Sequence, residues 1–584
     1  MFGFFKKILY LLGEDKKKLP LLIFLFICVS ILDLAGLGLI GPYVAMIMDP
    51  NLMGGLIEKI SLTFGLPNNR NYLLITIGIL LSFIFLLKAI SAIYINYRII
   101  SFSQNQQVRL RSHLIQVYQS LPYTEYISRN SSEYLFSIQS LVAQFTNQVV
   151  LTSLRTASDI IVATVIISFL AINNLQVLVL LVFLISSLIV VYDRLFRKHL
   201  KSYGKISNSS ATSMIQGVQE AVDGFKEIRV LGNEGFFHRK VKEGAKSFAK
   251  YRTKAQVISS APRFLLEFLM VSFIVLLIAI MIFTGKDMKL FFPTLAIFGV
   301  AALRLLPAAN VFSASLTQLR FGQDSVFRLY DDLKKLDEYS YSSDSKNITT
   351  TYNSFKKLEL FNVSFKYSGS SISALSNISL SIDSGQCIGL MGSSGSGKTT
   401  LIDLLLGLLD SYEGQILYNG KPLNESLHKW RSQIAYLPQE VFIIDNSLRC
   451  NIALGIDEDK IDEARLSRAV HQAKIDELVD NLPNGLDTIL GEGGIRLSGG
   501  QRQRVALARA FYYKRAILIM DEATSALDNE TEHEIVEEIR QLKGEMTIIV
   551  IAHRLSTLQY CDSIHEIRDG QIINSGSFNE MCQK

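Results

Sequence analysis

Six stretches in the first part of the chain are long and apolar enough to cross a bilayer: about Leu19–Met48, Tyr72–Tyr97, Val149–Ala171, Leu175–Phe196, Val257–Phe283 and Leu290–Phe312. A hydrocarbon core roughly 30 Å thick takes about 20 residues at 1.5 Å rise each. Backbone polar groups in lipid must be paired within their own segment, so the six stretches predict helices. The connections Arg98–Gln148 and Arg197–Gln256 are too long for simple loops and keep a helical period, as in Val108, Leu110, Leu114, Ile115, Val117 and Tyr118. They predict spans two to five running on beyond the membrane, with turns near Pro122–Arg129 and Asp223–Phe237. A polar stretch, Tyr339–Ser354, then breaks the pattern, and from Leu358 short Val- and Ile-rich strands alternate with helices. That alternation predicts a parallel α/β domain. The expected division is a transmembrane domain over 1–338, a linker over 339–356 and a second domain over 357–584.

Charge orients the bundle. Lys6, Lys7, Lys16, Lys17 and Lys18 precede the first span, Arg109, Arg111 and Arg129 follow the second, and Arg194, Arg197, Lys198, Lys201 and Lys205 follow the fourth. The opposite loops are short or poor in cations, so both termini and the α/β domain are expected on the cytoplasmic side. The N-terminal Met1–Leu12 mixes Phe and Leu with Lys6 and Lys7, which suits a short helix on the inner surface. Of the 584 residues 49% are hydrophobic and 19% charged, which excludes a disordered chain. The net charge of +6 is the surplus a positive-inside membrane protein carries, and nucleic acid is not expected as a partner. Cys28, Cys387, Cys450, Cys561 and Cys582 have no metal spacing and read as reduced thiols.

The chemistry lies in the second half. Gly392, Ser393, Ser394, Gly395, Ser396, Gly397, Lys398 and Thr399 fit G-x-x-x-x-G-K-[ST]. The motif follows an apolar strand, Cys387–Met391, and opens a helix from Thr400. Glycines let successive N–H groups curl round phosphate oxygens, and the helix N-terminus adds partial positive charge. Lys398 is then the residue for the β- and γ-phosphates of ATP, and the Thr399 hydroxyl a ligand for Mg²⁺. The buried strand Ala516–Met520 delivers Asp521 at its carboxyl end, the edge where open α/β sheets bind ligands. Asp521 is expected to face Mg²⁺ and Glu522 to polarise the attacking water. Ser498, Gly499 and Gly500 make a second anion-binding helix start. One phosphate loop needs one such cradle, so the second is expected to serve the ATP of another subunit.

Leu497, Ser498, Gly499, Gly500 and Gln501 form the signature of the ATP-binding cassette (ABC) family, which the chain resembles along its length. The resemblance implies a half-transporter exporter: an α-helical six-span transmembrane domain with long cytoplasmic extensions, followed by an α/β P-loop ATPase. It implies that Tyr367 stacks on adenine, that Gln439 senses Mg²⁺ and the membrane domain, and that His553 is the switch histidine catalytic beside Glu522. Ser525, Ala526, Leu527 and Asp528 resemble the loop between paired subunits. With one cassette per chain, the resemblance implies a homodimer in the inner (cytoplasmic) membrane, each copy capping the other's nucleotide.

For cargo, the ionisable residues inside the spans are Asp33, Lys88, Arg155, Asp159, Arg263, Glu267 and Arg304. Lys88, Arg263 and Arg304 fall in the inner half of the bilayer. They make either a site for an anionic headgroup or cations that snorkel or pair with Asp33, Asp159 and Glu267. Within the family the first span and these cations look most like flippases of lipid-linked oligosaccharides; the alternative is an exporter of lipids or hydrophobic drugs.

Overall fold

The computed structural model describes residues 2–48, 70–173, 175–284, 306–340, 355–367, 369–522, 533, 537, 540–551 and 558–582. The chain forms two compact units, one of Met1–Leu121 with Arg129–Asp344, the other of Pro122–Ser128 with Ser345–Lys584.

The first unit is helical. Three helices dominate it: Arg70–Ser120 (51 residues), Leu175–Asp223 (49) and Glu234–Thr284 (51). At 1.5 Å per residue each is roughly 75 Å long, more than twice the apolar thickness of a bilayer. Among the described residues four helical segments are long and apolar enough to cross one: Leu74–Ser120, Ser131–Val165, Leu178–Asp223 and Glu234–Leu276. Leu19–Met48 is also one continuous helix. The expected sixth span, 290–312, lies mostly outside the described residues.

Both expected turns carry a short helix of their own, Tyr123–Ile127 and Phe225–Leu231. Pro122 stops the preceding helix because it lacks an N–H and fixes its own backbone. Gly232 closes the other in the left-handed region, at φ 66°. The helical period of the first connection is real but narrower than the apolar residues suggest. Leu110, Leu114 and Val117 are buried, whereas Val108 and Ile115 face outward. Two π-helical turns, Ser137–Leu141 and Phe145–Val150, precede the helix Leu151–Asn173, and the buried Ser103 hydroxyl donates to the Thr146 carbonyl at 2.9 Å. The last helix of this unit, Gln323–Ser340, continues the apolar stripe Val326, Leu329, Leu333. It therefore covers Tyr339 and Ser340, two residues expected in the linker.

The second unit holds two sheets. Strands β1 (Lys357–Phe365), β2 (Leu375–Asp383), β4 (Glu413–Tyr418) and β5 (Lys421–Pro422) form an antiparallel sheet in the order β2-β1-β4-β5. Strands β3 (Cys387–Met391), β6 (Ile434–Leu437), β7 (Ile517–Asp521), β8 (Thr547–Ile551), β9 (Ser563–Arg568) and β10 (Gln571–Gly576) form the other, in the order β10-β9-β3-β8-β7-β6. Its central strands are parallel and buried on both faces. Leu518 and Met520 join one core cluster, and Ile517 and Ile519 the other. Burial on both sides is why these strands read as unbroken apolar runs.

Candidate functional site

Parallel pairing brings the carboxyl ends of β3, β7 and β6 to one edge of the sheet. Past β3 the chain turns at Gly392, whose φ of +153° no side chain would suit and where an added Cβ would lie 2.3 Å from the Ile567 carbonyl. Gly397, at φ +107°, then starts the helix Lys398–Leu405, and a Cβ there would meet the Ala374 carbonyl at 2.9 Å. The helix begins at Lys398, two residues before the expected Thr400. Lys398 is buried, and its Nζ donates to the carbonyls of Gly392 and Ser393, both at 2.9 Å. The ammonium is thereby folded over the loop. The hydroxyl of Ser396, also buried, meets no hydrogen-bond partner. Such an orphan inside a glycine loop fits a loop shaped round a phosphate group.

β7 ends at Asp521. Glu522 follows in the left-handed region, at φ 50°, with its N–H donating to the Ile551 carbonyl at 3.2 Å. Gln439, just past β6, donates through Nε2 to Glu522 Oε2 at 3.0 Å. Burial, together with the neighbouring Glu522, pushes the Asp521 carboxyl above its ordinary range, against the pull of Lys398. Burial likewise lowers the Lys398 ammonium, against the two acids. Asp403, further along the Lys398–Leu405 helix, is pushed up to about 6 by burial and then by Asp521. Among the described residues no three His, Cys, Asp or Glu side chains cluster to hold a metal ion. The Thr399 hydroxyl, the Gln439 amide oxygen and the Asp521 carboxylate are hard oxygen donors of the kind Mg²⁺ takes alongside phosphates.

Tyr367 is half-buried, its ring edge-on to Phe365 at 4.9 Å and its hydroxyl 3.4 Å from Thr400 Oγ1. Tyr123, from the short helix Tyr123–Ile127, packs against the same core. Burial raises its hydroxyl, with Asp403 and Tyr367 adding to the effect. Asp403 and Tyr123 belong to no motif, which is why the sequence does not flag them.

The signature residues are organised by their own helix. Ser498 caps Gly499–Tyr513: its hydroxyl accepts from the Gln501 N–H at 3.2 Å, and its own N–H donates to Gln501 Oε1 at 2.8 Å. This is a capping box. Gln501 therefore has a local structural task, and Gly499 and Gly500 form the first turn beside it. His553 and Ser525–Asp528 lie outside the described residues.

Of the three candidate cargo cations, Lys88 and Arg263 fall on described residues. Arg263 pairs with Glu267 one turn along its own helix, at 3.0 Å, which is the pairing alternative. Lys88 lies 5.5 Å from the Phe85 ring centre. Arg304 is outside the described residues, as is the side chain of Asp33. A different polar group surrounds a cavity of about 450 Å³ in the first unit, where Arg155, Asp159, Asn96, Thr152 and Gln318 line the space.

Residues 375–525 match the family described as ABC transporter. Over 509 residues, 85% of this chain and 84% of the relative, the sequence is 32% identical to an ATP-dependent lipid A-core flippase of Dechloromonas aromatica (strain RCB). It is 28% identical over 505 residues, 86% and 84% of the two chains, to an ATP-dependent lipid A-core flippase of Polaromonas sp. (strain JS666 / ATCC BAA-500). The fold is similar to that of a bacterial Atm1-family ABC exporter with ATP bound, with a TM-score of 0.78 over 98% of this chain and 97% of that one, at 21% identity.

Proposed function

Since this chain belongs to the ABC transporter family, as an exporter half-transporter that couples ATP hydrolysis to transport, we propose that it flips an anionic, lipid-linked cargo across the inner membrane. The observation that carries the reading is the convergence of Lys398, Asp521, Glu522 and Gln439 on one sheet edge, with Gln439 bonded to Glu522 at 3.0 Å. The cargo class rests on the relatives named lipid A-core flippase. Lys88, Arg263 and Arg304 remain candidate cargo residues, and Arg263 is paired with Glu267.

Domain limits of 1–338, 339–356 and 357–584, six spans, cytoplasmic termini and long cytoplasmic extensions are part of the same proposal. Helices of about 50 residues support the extensions. The partner is a second copy, in the two-fold arrangement commonest among oligomers.

In the proposed cycle Gly392–Gly397 present their N–H groups to the phosphates, and Lys398 leaves the loop carbonyls for the β- and γ-oxygens. Tyr367 stacks on adenine. Thr399, Gln439 and Asp521 would hold Mg²⁺, which would neutralise charge developing on the phosphates. Glu522 takes the proton of the attacking water, and His553 contacts the γ-phosphate. The capped start of Gly499–Tyr513, with Ser498, Gly499, Gly500 and Gln501, closes on the partner's nucleotide. Closure and release then drive the membrane helices between inward and outward openings.

The test is reconstitution in liposomes with a fluorescent lipid A. ATP-dependent translocation that is lost in Lys398→Ala supports the reading. Movement of a hydrophobic drug dye with no movement of the glycolipid would replace it with the alternative, a lipid or drug exporter.

A further inference from the structure

The chain passes between its two compact units three times: after Leu121, after Ser128 and after Asp344. One buried cluster in the first unit gathers a residue from beside each of the first two passages and one from the helix that precedes the third. Tyr118 lies three residues before the first, and Arg129 is the first residue after the second. Asp332 is on the helix Gln323–Ser340, which leads to the third. The Tyr118 hydroxyl donates to Asp332 Oδ2 at 2.7 Å, and Arg129 Nη1 donates to Asp332 Oδ1 at 2.8 Å. Only 9% of the Asp332 side chain is exposed, and Tyr118 is buried with its ring 4.6 Å from that of Tyr134.

The neighbouring charges have partners of their own. Arg328 pairs with Asp324 at 2.9 Å, and Asp331 with Lys7 at 3.4 Å. Arg129 is therefore the cation that compensates Asp332. A buried ion pair adds little stability over an apolar group of the same volume, whereas it fixes one geometry and strongly penalises losing a partner. A cluster of this kind, set beside two of the passages and on the helix that precedes the third, is better suited to holding register than to adding stability.

We propose that Asp332 is a positioning residue for the transport cycle: through Tyr118 and Arg129 it locks the three connecting segments into one moving body, so that displacement of the ATPase reaches the membrane helices. The proposal rests on the ATP-driven dimer cycle above. Asp332 touches neither nucleotide nor cargo.

The experiment compares wild type with Asp332→Asn, which keeps shape and removes charge, and with Arg129→Ala and Arg129→Lys. Two readings are taken in the full-length detergent-solubilised protein: ATP turnover, and ATP-plus-vanadate changes in nitroxide distances with one label per copy. The labels sit at exposed positions, Tyr412 in the ATPase unit and Ile79 in the long helix Arg70–Ser120. Asp332→Asn and Arg129→Ala are expected to keep turnover within about twofold and the full Tyr412 shift, while the Ile79 shift shrinks about fivefold or more. Arg129→Lys is expected to restore the Ile79 shift. An unchanged Ile79 shift in Asp332→Asn overturns the proposal, and so does a parallel loss of turnover, melting temperature and both shifts, which would make Asp332 a folding residue only. A wild type with no Tyr412 shift would instead remove the dimer cycle itself.

Discussion

Glu522 is held in the left-handed backbone region and hydrogen-bonded by Gln439, an arrangement that fixes its carboxylate at the sheet edge. As the proposed general base it contributes to the chemical step and little to nucleotide affinity. Glu522→Gln should bind ATP with near wild-type affinity and turn over at least about 100-fold more slowly, as read by equilibrium binding and phosphate release; near-normal release contradicts the assignment. Asp403 makes a second prediction, through pH. Its folded pKa of about 6 lies above the ordinary 3.8. The folded protein therefore binds this proton more tightly than the unfolded chain, and stability falls as pH rises from about 4 to 6. Above that window the charged carboxylate is a net cost. Asp403→Asn should raise the melting temperature at pH 7.5 and barely change it at pH 4.5, the gain being on the order of 1 kcal/mol once solvent screening is allowed for. An equal shift at both pH values contradicts it. The motif residues Lys398, Asp521 and Glu522 were legible because phosphate chemistry restricts residue type and spacing together. Asp403 was not, since its shift comes from burial against Asp521, a contact that only the tertiary fold creates.

At the level of elements, the helix Gly499–Tyr513 separates structural from functional roles. Removing the Ser498 cap costs a helix about 1 kcal/mol. If the capped start also binds a partner's phosphate, Ser498→Ala should lower ATP turnover by about 100-fold while thermal melting of the protein shifts only by the capping loss. Turnover that follows the stability loss and no more would leave Ser498 as a cap alone. The strands β3 and β7 could be read directly, because burial on both faces makes the whole strand apolar. The helix beginning at Lys398 and the one ending at Ser340 moved by about two residues from expectation, as helix ends do. The π-helical turns Ser137–Leu141 and Phe145–Val150 left no trace in the sequence. In the second of them the Thr146 carbonyl accepts from Ser103, a tertiary partner that the hydrophobic period does not report.

Over the whole molecule, hydrophobic length and charge asymmetry brought out a membrane-spanning half, and motif order a nucleotide-binding half. Depth left two readings for Arg263, a headgroup site with Lys88 and Arg304 or pairing with an acid such as Glu267, and Arg263 meets Glu267 on its own helix. What depth could not bring out was the cavity lined by Arg155 and Asp159, which draws on helices far apart in sequence. In the proposed cycle, ATP turnover requires composite nucleotide sites shared by two copies. Mixing two inactive variants tests it: Lys398→Ala, which damages a copy's own phosphate loop, and Ser498→Arg, which damages what it offers its partner. In a mixed dimer one site receives both lesions and the other receives neither. Random reassembly of equal amounts makes half the dimers mixed, so ATP turnover should recover to about a quarter of wild type. A mixture as inactive as either variant alone would contradict the shared site.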